Sequence, residues 1–401
     1  GLQFDDMQES IRKWLPIIRE KEKADIIIGL FHSGEKPKSG NVKFEENASF
    51  LIARDIPGFD IILLGHDHNA LCRTITNKNG EKVLLLNPGS QGLNIARAEI
   101  IIEKKRNTLT SKSISGALIN TSNCGIDSAF MAQFSTAYDT IQKFSNSPVG
   151  TLTQTISTRD SYFGPSAFCD FINQLQLKIS GADISFTAPL FFDTEIKAGK
   201  IFLRDMFKLY KYENRLHTML LTGKEIKGYL EHSYSLWTNQ MQSPEDDLLL
   251  FDNQYTGINK KLLYNSYNFD SAMGIKYTVD VTKPYGNKIN IISMSDGSSF
   301  DLDKTYKVAI NSYRANGDDG MLIKGAGIPK EKIKDRIVKT SDNDLRSDIM
   351  QYIHQKGTIT PECKNEWKFI PEEWVAPAIE RNRNDLFGNI SITNKPSINV
   401  H

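Results

Sequence analysis

Ile61-Ile62-Leu63-Leu64-Gly65-His66-Asp67-His68-Asn69 is a short apolar run that stops at a glycine and delivers two histidines. Upstream, Ile26-Ile27-Ile28-Gly29-Leu30-Phe31-His32-Ser33-Gly34 repeats the pattern with one histidine. Short continuous apolar runs of this kind read as strands buried on both faces, as in a parallel sheet. Two such strands place His32, His66 and His68 together at one sheet edge. A single loop histidine most often only satisfies a hydrogen bond. Three imidazoles at one edge are a donor set for divalent transition metals, and those of His66 and His68 can converge on one ion or diverge to two.

Working outward, the surrounding pattern alternates helix and strand, which places the chain in the α/β class. Asp6 to Glu22 carries Ile11, Trp14, Leu15 and Ile18 at helical spacing, and Pro16 is expected to kink or divide that helix. The strand Asp25 to Leu30 follows. Leu71 to Thr76 and Glu81 to Leu86 flank Asn77-Lys78-Asn79-Gly80, whose Asn-Gly pair predicts a hairpin. The mostly polar stretch Lys104 to Asn123 breaks the pattern. A helix is expected over Ile126 to Phe144, stopped by Ser145-Asn146-Ser147-Pro148. Further on, Thr222 precedes Glu225 at capping-box spacing. His217 and His232 near it are read as scaffold.

Composition narrows the function classes. The 401 residues, 39% of them hydrophobic, suffice for two or three domains with ordinary cores. Lys and Arg total 49 against 48 Asp and Glu, a net charge of +1, which gives no electrostatic case for a nucleic-acid polymer or a membrane surface as partner. No apolar run reaches the roughly 18 residues of a membrane span. Cys72, Cys124, Cys169 and Cys363 form no CxxC pair, so buried free thiols are expected rather than a zinc knuckle.

Asp25 to Gly34 (DIIIGLFHSG), Asp60 to Asn69 (DIILLGHDHN) and Asn87-Pro88-Gly89-Ser90 resemble the second half of the metallophosphoesterase domain of bacterial 5'-nucleotidases and 2',3'-cyclic-nucleotide 2'-phosphodiesterases. The likeness continues to about Gly388. It implies the C-terminal half of a four-layer α/β/β/α metallophosphoesterase domain over 1–112, a linker with helix over 113–147, an α+β 5'-nucleotidase C-terminal domain over 148–388, and a tail over 389–401. It also implies two divalent ions such as zinc or manganese, bridged by a carboxylate, with a metal-bound water or hydroxide attacking phosphorus. His32 and His66 would serve one ion and His68 the other. A periplasmic or cell-surface location is implied as well.

The departures matter equally. The family begins with Asp-x-His, Gly-Asp and Gly-Asn-His-Glu/Asp segments that supply further ligands and the catalytic histidine, and none occurs here. No catalytic residue is therefore assigned, and with three histidines alone each metal site is half built. Asp67 is expected to point away. The opening Gly1-Leu2-Gln3-Phe4-Asp5 corresponds to a point inside the family's first domain, so a fragment of a longer enzyme is expected. Its partial sheet would present an apolar face that a homo-oligomer could cover.

For the second domain the resemblance implies a nucleotide or nucleoside held by an aromatic clamp. Tyr264-Asn265-Ser266-Tyr267-Asn268-Phe269-Asp270 and Asn311-Ser312-Tyr313-Arg314-Ala315 supply the rings, with Tyr313 as one and Tyr267 or Phe269 as the other. Without the resemblance these aromatics would read as core. Asn214, and Asp319 in the turn Gly317 to Gly320, are the expected polar contacts. The 5'-nucleotidase branch carries a Gly-Gly-Gly-Ile-Arg segment where this chain reads Ala188-Pro189-Leu190-Phe191-Phe192-Asp193. An arginine clamps phosphate with bidentate bonds that an aspartate cannot make. The expectation is hydrolysis of 2',3'-cyclic and 3'-nucleotides, with a 5'-nucleotidase or a non-catalytic nucleotide-binding protein as the alternatives. In the family the second domain rotates to carry substrate to the metals, so the helix Ile126 to Phe144 is the expected hinge region.

Overall fold

The computed structural model describes residues 2–36, 43–106, 108–253, 255–257, 260–317 and 320–388. The chain divides into one unit that runs to Ala132 and a second from Gln133 onwards.

In the first unit, β1 (Ile28–Leu30), β2 (Ile61–Leu63), β3 (Ala70–Thr76) and β4 (Lys82–Pro88) form a sheet of order β1-β2-β4-β3. The first three in that order are parallel, and β3 returns antiparallel to β4 through the Asn77 to Gly80 turn. The helices α1 (Met7–Ile17) and α2 (Ser49–Asp55) cover one face, where Leu15, Ile52 and Ala53 pack with Ile62 and Leu85. Asp6 caps α1 by accepting the Glu9 amide, and two residues past Pro16 the coil widens into a π-helical turn, Ile18–Glu22. On the other face Ile61, Leu84 and Leu86 meet Ile100, Ile114 and Leu118 of a long hairpin, β5 (Asn94–Lys105) and β6 (Thr108–Asn120). The layers run helix, sheet, sheet.

That hairpin corrects the sequence reading, which broke the pattern at Lys104 and began the linker at 113. Ile114, Gly116 and Leu118 alternate with exposed neighbours, so β6 is a strand with one shallow buried face. Its low overall hydrophobicity hid it. The helix expected after it is α3 (Ser128–Ser145).

In the second unit a five-stranded sheet has the order Ser271–Met273, Ile184–Thr187, Thr305–Asn311, Arg215–Thr222, Ile337–Asp344. Alternate residues feed two cores. Met219, Leu221, Val308 and Ile310 face the helix Gly223–Trp237, whereas Leu216 and Ala309 face the helix Ala167–Ser180. Thr222 caps the former helix in a capping box with Glu225, as its spacing predicts. All four cysteines are free thiols, and only Cys169 is fully buried, which narrows the expectation of buried thiols to one. No helix among the described residues is long and apolar enough to cross a membrane.

Candidate functional site

The parallel strands β1 and β2 end at the same sheet edge, and the chain leaves them through His32 and His66. His66 Nδ1 lies 3.3 Å from His32 Nε2. A tetrahedral ion with bonds of about 2.0–2.1 Å would separate two nitrogen ligands by roughly that distance. The other nitrogen of His66, Nε2, is 3.0 Å from the Glu46 carboxylate, the kind of outer partner that fixes the orientation of a metal-ligating imidazole. The donor pair therefore fits a divalent ion. His68 is exposed at the same edge. Among the described residues, no grouping of three or more His, Cys, Asp or Glu side chains converges as a complete ligand set.

The neighbours hold this edge rigidly. Asp67 ties three segments together. Its carboxylate accepts the Glu35 amide (2.8 Å), the Asn69 amide (3.1 Å) and the Asn87 side chain (2.7 Å). Gly34 donates to Asn47 Oδ1 (2.9 Å), and a Cβ there would stand 2.2 Å from that oxygen, which explains the glycine after His32-Ser33. His66 and His68 both adopt left-handed backbone, with φ of 70° and 58°. Non-glycine residues bear a cost of about 1–2 kcal/mol in that region.

The second cluster forms where four strands of the larger sheet meet one edge. Thr305–Asn311 runs parallel to Ile184–Thr187, and both end there. Arg215–Thr222 and Ser271–Met273 run antiparallel and begin there. A cavity of about 240 Å³ opens at that edge, walled by Tyr267, Tyr313, Tyr212, Asn214, Asn311 and Leu190, among others. Tyr313 is 43% exposed. Asn214 accepts from Ser312 Oγ (3.3 Å). Phe269 does not reach the cavity. It is 1% exposed and stacks on Trp237 (centroids 5.4 Å, planes 3° apart), so Tyr267 is the ring that faces Tyr313's cavity. Asp319 lies outside the described residues.

Sequence reasoning missed what lies beneath these rings. Arg314 and Asp270 form a buried bidentate pair, Nε to Oδ2 at 2.7 Å and Nη2 to Oδ1 at 3.2 Å. Tyr229 donates its hydroxyl to the same carboxylate, and Arg314 also donates to the Tyr267 carbonyl. One guanidinium thus ties the backbone at Tyr267 to the residue that follows Tyr313. The only signal in the sequence was the position of Arg314 and Asp270 inside the two aromatic segments. Asp193, where the arginine of the other branch was expected, is held by Arg159 at 2.7 and 2.9 Å. His217 bonds Thr340 (2.8 Å), and burial lowers the pKa of His232, with Lys324 and Arg314 nearby; neither lines the cavity.

Residues 148–324 match the family of the 5'-nucleotidase C-terminal domain. Over most of its length the chain is similar to nucleotide phosphoesterases and 2',3'-cyclic-nucleotide 2'-phosphodiesterases. It is 27% identical over 418 residues to the trifunctional nucleotide phosphoesterase protein YfkN of Bacillus subtilis, covering 92% of this chain and 27% of that protein. It is 23% identical over 423 residues to the 2',3'-cyclic-nucleotide 2'-phosphodiesterase/3'-nucleotidase of Haemophilus influenzae, covering 91% of this chain and 61% of that one. The chain thus spans less than two thirds of either relative. In fold it resembles a Staphylococcus aureus protein assigned as a 5'-nucleotidase, with a TM-score of 0.66 at 20% identity over 92% of this chain and 68% of that one.

Proposed function

We propose that this chain takes part in hydrolysing nucleotide phosphate esters, 2',3'-cyclic and 3'-nucleotides ahead of 5'-nucleotides. The observation that carries the reading is the His32 and His66 pair, spaced for one divalent ion and backed by Glu46. When bound, such an ion supplies Lewis acidity to a phosphoryl oxygen and lowers the pKa of water. His66 is oriented by Glu46, and Asp67 fixes the loop that presents it. His68 is assigned to a second ion. The left-handed backbone at both residues supports this, because a loop that keeps two histidines in a costly conformation keeps them for their side chains.

In the second unit Tyr267 and Tyr313 hold the base by its faces, and Asn214 and Asn311 offer amides to its edge or to the ribose. The charge of Arg314 is matched by Asp270 and that of Arg159 by Asp193. Neither arginine is thereby set up as a phosphate clamp, which supports the preference away from 5'-nucleotides. The H. influenzae relative's name carries the same two substrates.

The test is phosphate release by the purified chain with manganese from 3'-AMP, 5'-AMP and, with a coupling phosphatase, 2',3'-cyclic AMP. Chelator-sensitive turnover in the order proposed supports the reading; a preference for 5'-AMP overturns the substrate assignment. A second reading, a nucleotide-binding protein without catalysis, is favoured by the lack of a three-ligand grouping among the described residues. Adenosine binding without turnover would select it.

A further inference from the structure

A second cavity, of about 440 Å³, adjoins the first in the same unit and shares Leu190, Tyr212 and Tyr267 with it as common walls. Its character is different. Lys211, Lys260 and Lys261 line it, and no carboxylate does. The charged side chains of its lining are thus all of one sign.

The three lysines differ in their partners. Lys260 is pinned between Asp247 (2.8 Å) and Asp385 (2.9 Å), so its charge is matched. Lys211 stands 5.2 Å from the ring centres of both Phe191 and Tyr212, and Lys261 stands 4.2 Å from that of Tyr255. Among the described residues, neither Lys211 nor Lys261 has an acidic side chain within ion-pair distance. Aromatic faces steady an ammonium group without neutralising it. Two such cations beside an aromatic slot fit an anion that the slot's occupant carries.

We infer that this second cavity is a subsite for a non-scissile phosphate on the nucleoside held between Tyr267 and Tyr313. The substrate class it defines is nucleotides with a phosphate on each side of the ribose. The second phosphate is either a monoester, as in a nucleoside 3',5'-bisphosphate, or the bridging diester of a dinucleotide. The inference rests on the nucleoside reading of the first cavity and adds a specificity to it.

The test is binding to the full chain by calorimetry, with chelator present so that no ligand is turned over. Adenosine probes the first cavity. Adenosine 3',5'-bisphosphate and the 5'-phosphorylated dinucleotide pApA probe the second, as monoester and diester. Two exposed cations should tighten binding of at least one phosphorylated probe roughly threefold to twentyfold over adenosine, and the gain should shrink at higher salt. Lys211→Gln with Lys261→Gln should remove the gain and leave adenosine binding and the melting curve in place. A gain confined to one probe identifies its source. Adenosine binding with no gain for either probe, or a gain that survives the double variant, overturns the subsite alone. No adenosine binding overturns the nucleoside reading, and the subsite with it.

Discussion

Replacing Asp270 by Asn tests whether the aromatic cavity is built on a buried ion pair. The Asp270 and Arg314 side chains are 3% and 4% exposed, so the change removes a buried carboxylate from beside the guanidinium. Breaking such a pair costs about 3–5 kcal/mol. The introduced amide would keep one acceptor oxygen for Arg314 Nη2, and the hydroxyl of Tyr229 would lose its charged acceptor. The expected loss therefore lies near the lower end, about 3 kcal/mol. Urea unfolding followed by tryptophan fluorescence measures it. Three of the four tryptophans, Trp237, Trp367 and Trp374, lie in the second unit, so the signal reports that unit. The midpoint should fall with little change in slope. Asp270→Leu combined with Arg314→Met should recover much of the loss, because an apolar pair leaves no buried charge behind. A single variant within about 1 kcal/mol of the parent would mean that water or another group compensates Arg314, and the reasoning would fail.

Three further outcomes follow from the geometry. Tyr313→Ala should weaken adenosine binding by about 1–3 kcal/mol and leave folding intact, whereas Phe269→Ala should cost about 3–5 kcal/mol of stability; calorimetry and urea melts separate the two, and the reverse pattern would exchange their roles. His68→Gly, at φ 58° with no hydrogen bond to its side chain among the described residues, should leave the first unit as stable or firmer by up to about 1 kcal/mol; a loss larger than that in a urea melt would show that His68 holds the loop together. Burial pushes the Asp170 carboxyl up to about 6, so the folded state binds more protons between the ordinary carboxylate range and pH 6, and stability falls as pH rises through that window. Asp170→Asn should flatten that fall and gain on the order of 1–3 kcal/mol at pH 7 and nothing at pH 4; an equal effect at both pH values would contradict the assignment.

What the sequence made legible was local. Strand ends before His32 and His66, the Asn77 to Gly80 hairpin and the Thr222 capping box each rest on spacings within about ten residues. What it hid was either shallow or distant. The strand β6 carries its buried side on Ile114, Gly116 and Leu118, too little apolar weight to announce itself. Tyr267 and Phe269 sit two apart, and only the packing of Phe269 on Trp237 assigns one to the core and the other to the cavity. Arg314 and Asp270 are 44 residues apart, and either alone reads as an ordinary charged loop residue.

That buried pair has a consequence for how a ligand would be felt. The two walls of the cavity are tied together, since moving the backbone at Tyr267 away from Tyr313 strains the bonds that Arg314 makes to the Tyr267 carbonyl and to Asp270 in the core. Occupancy of the cavity is then thermodynamically linked to the folding of the whole second unit. A ligand at 100 times its dissociation constant would add about 2.7 kcal/mol to that unit's stability. Protease resistance in a crude extract, with and without nucleoside, would then serve as a binding assay that needs neither metal nor turnover.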